Sequence, residues 1–173
     1  ELKPKLVAII QARMGSTRLP GKILKSIQGM PMLWHIVSRL KSVGEIDEVV
    51  IATSDLSLDD SVYNMAKNYD ILCFRGSESD VLKRFFGAAD MVDAKHVMRI
   101  TGDCPLVDPP TIKKLVKLYF DGEFDFCGVG CGAGVAKDKN INRFPDGFDA
   151  EIFSFKVLSE ANDEANINLQ RDH

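Results

Sequence analysis

Lys5-Leu-Val-Ala-Ile-Ile-Gln-Ala-Arg-Met-Gly-Ser-Thr-Arg-Leu-Pro-Gly-Lys22 decides the fold. Its first part, Lys5 to Gln11, is a continuous, largely β-branched apolar run, which predicts a strand buried on both faces. The run breaks into a polar loop over 12–30 that holds Gly15, Pro20, Gly21 and Gly29. Pro31 then suits the first turn of a helix whose inward stripe is Leu33, Ile36, Val37, Leu40 and Val43. A doubly covered strand followed by a crossover helix is how a parallel sheet begins.

The same alternation continues outward from that stretch. Glu48 to Ala52 reads as a second strand and ends in Thr53-Ser54-Asp55. Asp59 to Tyr69 reads as a helix with Val62, Met65, Ala66 and Tyr69 turned inward, and Ile71 to Phe74 as a short strand. Ser79 or Asp80 caps the next helix, whose apolar face is Val81, Leu82, Phe85, Phe86, Ala89 and Val92. His96 to Ile100 is a strand, and Asp108 caps a helix that tolerates Pro109 and Pro110 in its first turn and buries Ile112, Leu115, Val116 and Tyr119. Phe124 to Val129 reads as a strand, 128–142 as a loop, and Phe148 to Phe153 as a strand. Ser154 then caps a last helix reaching about Ala165. The expected architecture is a three-layer α/β/α domain around a mostly parallel sheet.

Composition bounds the classes open to this chain. Its 173 residues, 45% hydrophobic and 27% charged, suit one compact domain without repeat, linker or low-complexity tract. The longest unbroken apolar run, Leu6 to Ile10, is far too short to span a membrane, and no secretory leader pattern opens the sequence. Cys73, Cys104, Cys127 and Cys131 are irregularly spaced, which fits reduced thiols and a cytoplasmic location. The net charge of −3 hides an asymmetry: residues 2–44 hold eight Lys or Arg and no acid, and the other 130 residues carry 14 cations against 25 acids. A basic first quarter on an acidic body predicts a local anion site and argues against a nucleic-acid surface.

In parallel sheets ligands bind beyond the carboxyl ends of the strands, so three loops draw attention. In the first, Arg13, Arg18 and Lys22 supply cations, while Gly15, Ser16 and Thr17 supply open amides and hydroxyls, a combination suited to a polyphosphate. It is no Walker loop, because five residues separate Gly15 from Gly21 and Ile23 stands where Ser or Thr would hold magnesium. In the second, Arg99-Ile-Thr-Gly-Asp-Cys-Pro-Leu-Val107, Asp103 follows a glycine at a strand end and is placed either to hold a divalent cation or to make a plain turn. In the third, Asp149 and Glu151 alternate along a strand and share one face, either toward sugar hydroxyls or a cation, or toward solvent. Arg75-Gly-Ser-Glu-Ser-Asp80, between a strand and a helix cap, is placed either to approach a base or ribose or to make a plain capping turn.

Taken together, these segments resemble a known family. Ile-Ile-Gln-Ala-Arg-Met-Gly-Ser-Thr-Arg-Leu-Pro-Gly-Lys resembles the nucleotide-binding segment of the cytidylyltransferases that activate Kdo and acylneuraminate-type sugar acids, most of all the spore-coat polysaccharide branch. Phe-Arg-Gly-Ser-Glu-Ser-Asp-Val-Leu, Arg-Ile-Thr-Gly-Asp-Cys-Pro-Leu-Val-Asp-Pro and Phe-Pro-Asp-Gly-Phe-Asp-Ala-Glu-Ile-Phe-Ser-Phe follow in the same order. The resemblance implies a glycosyltransferase-A-like nucleotide-binding fold and transfer of CMP from CTP with Mg²⁺. It places Ala12 and Arg13 along the nucleotide, Ser16, Arg18 and Lys22 around the triphosphate, Thr101 near base or ribose, and Asp103 on the metal. A substrate oxygen would attack the α-phosphorus and expel pyrophosphate. Gln11 stands where Kdo enzymes have proline and Thr101 where they have glutamine, which leaves the acceptor open.

The partners expected are therefore CTP or another NTP and a sugar acid or phosphorylated small molecule, with no nucleic acid or membrane, and a homodimer is compatible. An NTP-dependent sugar-1-phosphate nucleotidyltransferase and a non-catalytic nucleotide-binding module are the alternatives. A glycosyltransferase is disfavoured because no Asp-x-Asp occurs. Nor does any Asp-Thr-Pro, the context of the family's second acidic metal ligand, so residues 1–173 are expected to be a single nucleotidyltransferase domain lacking its C-terminal portion.

Overall fold

The computed structural model describes residues 5–16, 19–122, 124–129, 149–166 and 171. The chain begins with β1 (Leu6–Gln11), a 3₁₀ turn at Lys22–Leu24, and a small hairpin of β2 (Ser26–Ile27) and β3 (Met30–Pro31). It continues through α1 (Met32–Lys41), β4 (Glu48–Ser54), a 3₁₀ turn at Ser57–Asp59, α2 (Asp60–Asn68), β5 (Leu72–Gly76), α3 (Val81–Asp90) and β6 (His96–Thr101). It closes with α4 (Pro109–Asp121), β7 (Phe126–Val129), β8 (Ala150–Ser154) and α5 (Phe155–Glu164). Among the described residues no helix is long and apolar enough to cross a membrane.

The main sheet runs β5-β4-β1-β6-β8-β7. β5, β4, β1 and β6 are parallel, β8 lies antiparallel to β6, and β7 antiparallel to β8. Each residue of β1 from Leu6 to Ile10 is fully buried, which is the physical reason for its unbroken apolar sequence. Leu6, Ala8 and Ile10 pack on the side of α1, α2 and α4, and Val7 and Ile9 on the side of α3 and α5. From β1 the chain steps outward to β4 and β5, then returns to lay β6 on the other side of β1. That reversal opens a crevice between the carboxyl ends of β1 and β6.

The expected caps form. Asp80, Asp108 and Ser154 accept from the amides of Lys83, Thr111 and Val157 at the heads of α3, α4 and α5. Several boundaries differ from the sequence expectation. Pro31 is the N-cap of α1 and closes the hairpin, and β4 and β5 each run two residues further than expected, to Ser54 and Gly76. Tyr69 is not inward: α2 stops at Asn68, Asp70 takes a left-handed φ of 53° to turn into β5, and Tyr69 is left 39% exposed. The loop expected over 128–142 begins inside β7, and from residue 130 on it lies outside the described residues.

Candidate active site

Loops from three strands meet at the crevice. The amide of Gly102 donates to Gln11 O at 2.8 Å, and that of Ala12 to Ala52 O at 3.1 Å. A Cβ on Gly102 would lie 2.6 Å from Gln11 O, so the close approach of the two loops requires glycine there. Gly21, in the left-handed region at φ 69°, turns the first loop back and starts the 3₁₀ turn that carries Lys22. Lys22 Nζ then donates to Asp103 Oδ2 at 2.7 Å across 81 residues of sequence. Partial burial pushes the Asp103 carboxyl up, but the Lys22 hydrogen bond and charge, with help from Thr101, hold it below the usual carboxylate range. Thr101 Oγ1 is also 2.8 Å from Cys104 Sγ.

Ala12 is buried under this junction, whereas Arg13 and Gly15 are exposed at its mouth. Arg13 Nη1 stands 3.9 Å from Glu78 Oε1, a carboxylate brought in by the loop between β5 and α3. The amides of Ser16 and Gly21 both donate to Met14 O, at 2.8 and 3.2 Å, so the Ser16 amide is not open as expected: the loop curls back and uses it internally. The curled loop lines an open cleft of about 440 Å³ with Met14, Gly15, Ser16, Pro20 and Gly21, and Leu58 also lines it. Thr17 and Arg18 lie outside the described residues.

The other sequence candidates are not gathered at this point. Arg75 is engaged below the loop, with Nε on Ser54 O at 3.1 Å, Nη2 on Leu56 O at 2.9 Å, Nη1 paired to Asp60 at 2.7 Å, and its guanidinium over Tyr63. Asp149 comes close to the Asp103 turn: burial raises the Cys104 thiol, and the charges of Asp103 and Asp149 raise it further. Glu151 sits opposite Arg99 in the β6–β8 register and pairs with it at 3.2 Å. That pair lines a second cleft, of about 270 Å³, between α3 and α5, together with Phe85, Phe126 and Phe153.

Sequence reasoning did not single out Glu78, Arg84 or Asp59. Arg84 is 2% exposed and donates through Nη1 to Ser77 O and Glu78 O, bracing the loop that faces Arg13. Its place on the apolar face of α3 was a readable signal, since a buried arginine needs acceptors. Asp59, also buried, accepts the Met14 amide. Among the described residues no group of three or more His, Cys, Asp or Glu could hold a metal unaided. Asp103 alone fits a hard cation that takes its remaining ligands from phosphates and water, as Mg²⁺ commonly does.

Comparison with known proteins gives this crevice its context. A family model described as cytidylyltransferase matches residues 7–165. The spore coat polysaccharide biosynthesis protein SpsF of Bacillus subtilis (strain 168) is 38% identical over 125 residues, 70% of this chain and 52% of that protein. An uncharacterized protein of Methanocaldococcus jannaschii is 33% identical over 169 residues, 98% of this chain and 65% of that protein. The chain thus spans between about half and two thirds of the length of these curated relatives. The structure of a cytidylyltransferase from Leptospira borgpetersenii serovar Hardjo-bovis superposes with a TM-score of 0.86 at 32% identity, over 99% of this chain and 69% of that one. The architecture is the α/β/α fold of the nucleotide-diphospho-sugar transferases, as the sequence led us to expect. With the family pattern running from β1 to the end of α5 and the basic loop and Asp103 turn facing each other inside it, the chain belongs to the cytidylyltransferase family.

Proposed function

We propose that this chain carries the nucleotide site of an enzyme that transfers CMP from CTP to a sugar acid or related acceptor in surface polysaccharide biosynthesis. The observation that carries the reading is the Lys22–Asp103 contact at the sheet's switch point, where a cation of the basic loop and a metal-capable carboxylate share one crevice. The family match supports CTP as donor, and the relationship to SpsF supports a polysaccharide precursor as acceptor.

In this reading the residues work by alignment and charge neutralisation. Arg13, Arg18 and Lys22 draw in the triphosphate, and the Gly15 amide with the hydroxyls of Ser16 and Thr17 fix its oxygens. Lys22 exchanges the Asp103 carboxylate for a phosphate oxygen as CTP enters. Asp103, freed of Lys22, is the residue that would hold Mg²⁺, which when bound neutralises phosphate charge. Ala12 and Thr101 border the nucleoside, and Arg75 supports the loop beneath. The acceptor approaches past Asp149 and the Arg99–Glu151 pair. Its oxygen forms the new bond to the α-phosphorus while the bond to the bridging oxygen breaks and pyrophosphate leaves. We place the enzyme in the cytoplasm, consistent with free Cys73, Cys104 and Cys127.

Pyrophosphate release by the full-length protein, given each of the four NTPs with a panel of sugar acids and sugar phosphates, tests the reading. CTP with a sugar-acid acceptor is expected to give the fastest release. Faster release from another NTP with a sugar 1-phosphate would replace it.

A further inference from the structure

Asp59 is a buried carboxylate, 3% exposed, in the turn that joins β4 to α2. It stands at the N-cap of α2, yet its side chain makes no capping hydrogen bond to that helix. Its acceptors go elsewhere. Oδ1 takes the amide of Met14 at 2.7 Å, 45 residues away in sequence. Oδ2 takes the amide of Ser54 at 3.3 Å and also the Ser54 hydroxyl. Ser54 Oγ accepts from Leu56 N at 3.3 Å, and Arg75 ties Ser54 O, Leu56 O and Asp60 together from the neighbouring strand. The turn under the carboxylate is therefore fixed on every side.

Met14 is the junction of the basic loop. Its carbonyl accepts from Ser16 N and Gly21 N, and its neighbours in sequence are Arg13 and Gly15. Gly21 in turn sets the 3₁₀ turn that carries Lys22. Holding the Met14 amide thus holds Arg13, Gly15 and the lysine-bearing turn in one arrangement. Burying a carboxylate is costly unless its oxygens are bonded, and here Oδ1 serves the loop, Oδ2 serves the turn, and neither serves the helix it heads.

We infer that Asp59 is a positioning residue for the triphosphate: its carboxylate anchors the Met14 backbone and so sets the cation-bearing loop before nucleotide arrives. The inference rests on the CTP site proposed above. Preorganising a loop lowers the ordering cost of binding, so the effect belongs to groups that touch phosphates beyond the first one.

The test is calorimetry of CTP with Mg²⁺, and of CMP, on full-length wild type, Asp59→Ala and Asp59→Asn. The wild type prefers CTP, and Asp59→Ala lowers that preference about tenfold, the loss of one charge-assisted hydrogen bond. Asp59→Asn shows a smaller loss, because its carbonyl oxygen still accepts from Met14. Hydrogen exchange at the Met14 amide rises in the same order. Should Asp59→Ala fail to fold, Asp59→Asn carries the comparison with its shape preserved. A lowered melting temperature with an unchanged CTP-to-CMP ratio in the folded variants would overturn the inference and leave Asp59 a stability residue. A wild type that binds no CTP would overturn the nucleotide reading itself, and the inference with it.

Discussion

At the scale of single residues the proposed site turns on the Lys22–Asp103 contact, and each partner carries a distinct prediction. Arg13→Ala and Lys22→Ala should each weaken triphosphate binding about ten- to a hundredfold and CMP binding far less, since a charge-assisted contact contributes roughly 1.5–3 kcal/mol. Calorimetry with CTP and CMP checks this; equal losses would place the cations elsewhere on the nucleotide. Asp103→Asn should abolish the Mg²⁺ dependence of nucleotide binding and leave the melting temperature nearly unchanged, because the carboxylate is well exposed and its pairing to Lys22 is solvent-screened. An unfolded variant would make Asp103 a turn residue. The meeting of Lys22 and Asp103 was foreshadowed because a basic, glycine-bearing loop and an acid both follow strands that end at one edge of the sheet. The pairings of Arg75 and Glu151 were not: a sequence does not show that an arginine already holds Asp60, or that a glutamate already faces Arg99 directly across the sheet. Asp59 looked like the start of a helix, and only the fold reveals that it bonds a loop 45 residues away.

Elements place these residues, and at the β1–β6 junction two backbones approach closely. Gly102→Ala would drive a methyl to 2.6 Å from Gln11 O and 3.1 Å from Ala12 Cβ, both held by the sheet. Overpacking of this kind costs about 1–3 kcal/mol, so the melting temperature should fall by roughly 2–12 °C, with weaker CTP binding as the loops separate. Unchanged melting and affinity would show that the loops have room to part. At the opposite end of β6, His96 Nδ1 meets the Tyr119 hydroxyl of α4 at 2.9 Å. Burial holds the imidazole below its ordinary pKa of about 6.5, so the unfolded chain binds the proton more readily. The stability this contributes is complete above the ordinary value and is lost as pH falls below it. Thermal melts from pH 8 to pH 5 should show the advantage of wild type over His96→Gln shrinking; a constant gap would remove His96 from the pH response. Strands, caps and apolar stripes were readable because periodicity and Ser or Asp caps act locally. The ends of β4, β5 and α2 were not, because ladder partners and the left-handed turn at Asp70 set them.

The whole molecule is organised by its switch point, which lets a basic loop from the first quarter of the sequence meet an acid from the acidic body. The charge asymmetry of the sequence is thereby converted into one local junction, Lys22 against Asp103, with Arg13 and Glu78 at its mouth. Strand alternation was enough to expect the parallel core, but the antiparallel β8 and β7 at one edge reflect return connections that local patterns do not encode. Binding reads the nucleotide site without needing the acceptor, so it is a more direct test than turnover. The decisive measurement is calorimetric titration of CTP, UTP, ATP and GTP into this protein, with and without Mg²⁺. The account predicts that CTP binds most tightly, that Mg²⁺ strengthens its binding, and that CMP binds more weakly than CTP. Equal affinity for all four nucleotides, or for CMP and CTP alike, would contradict it.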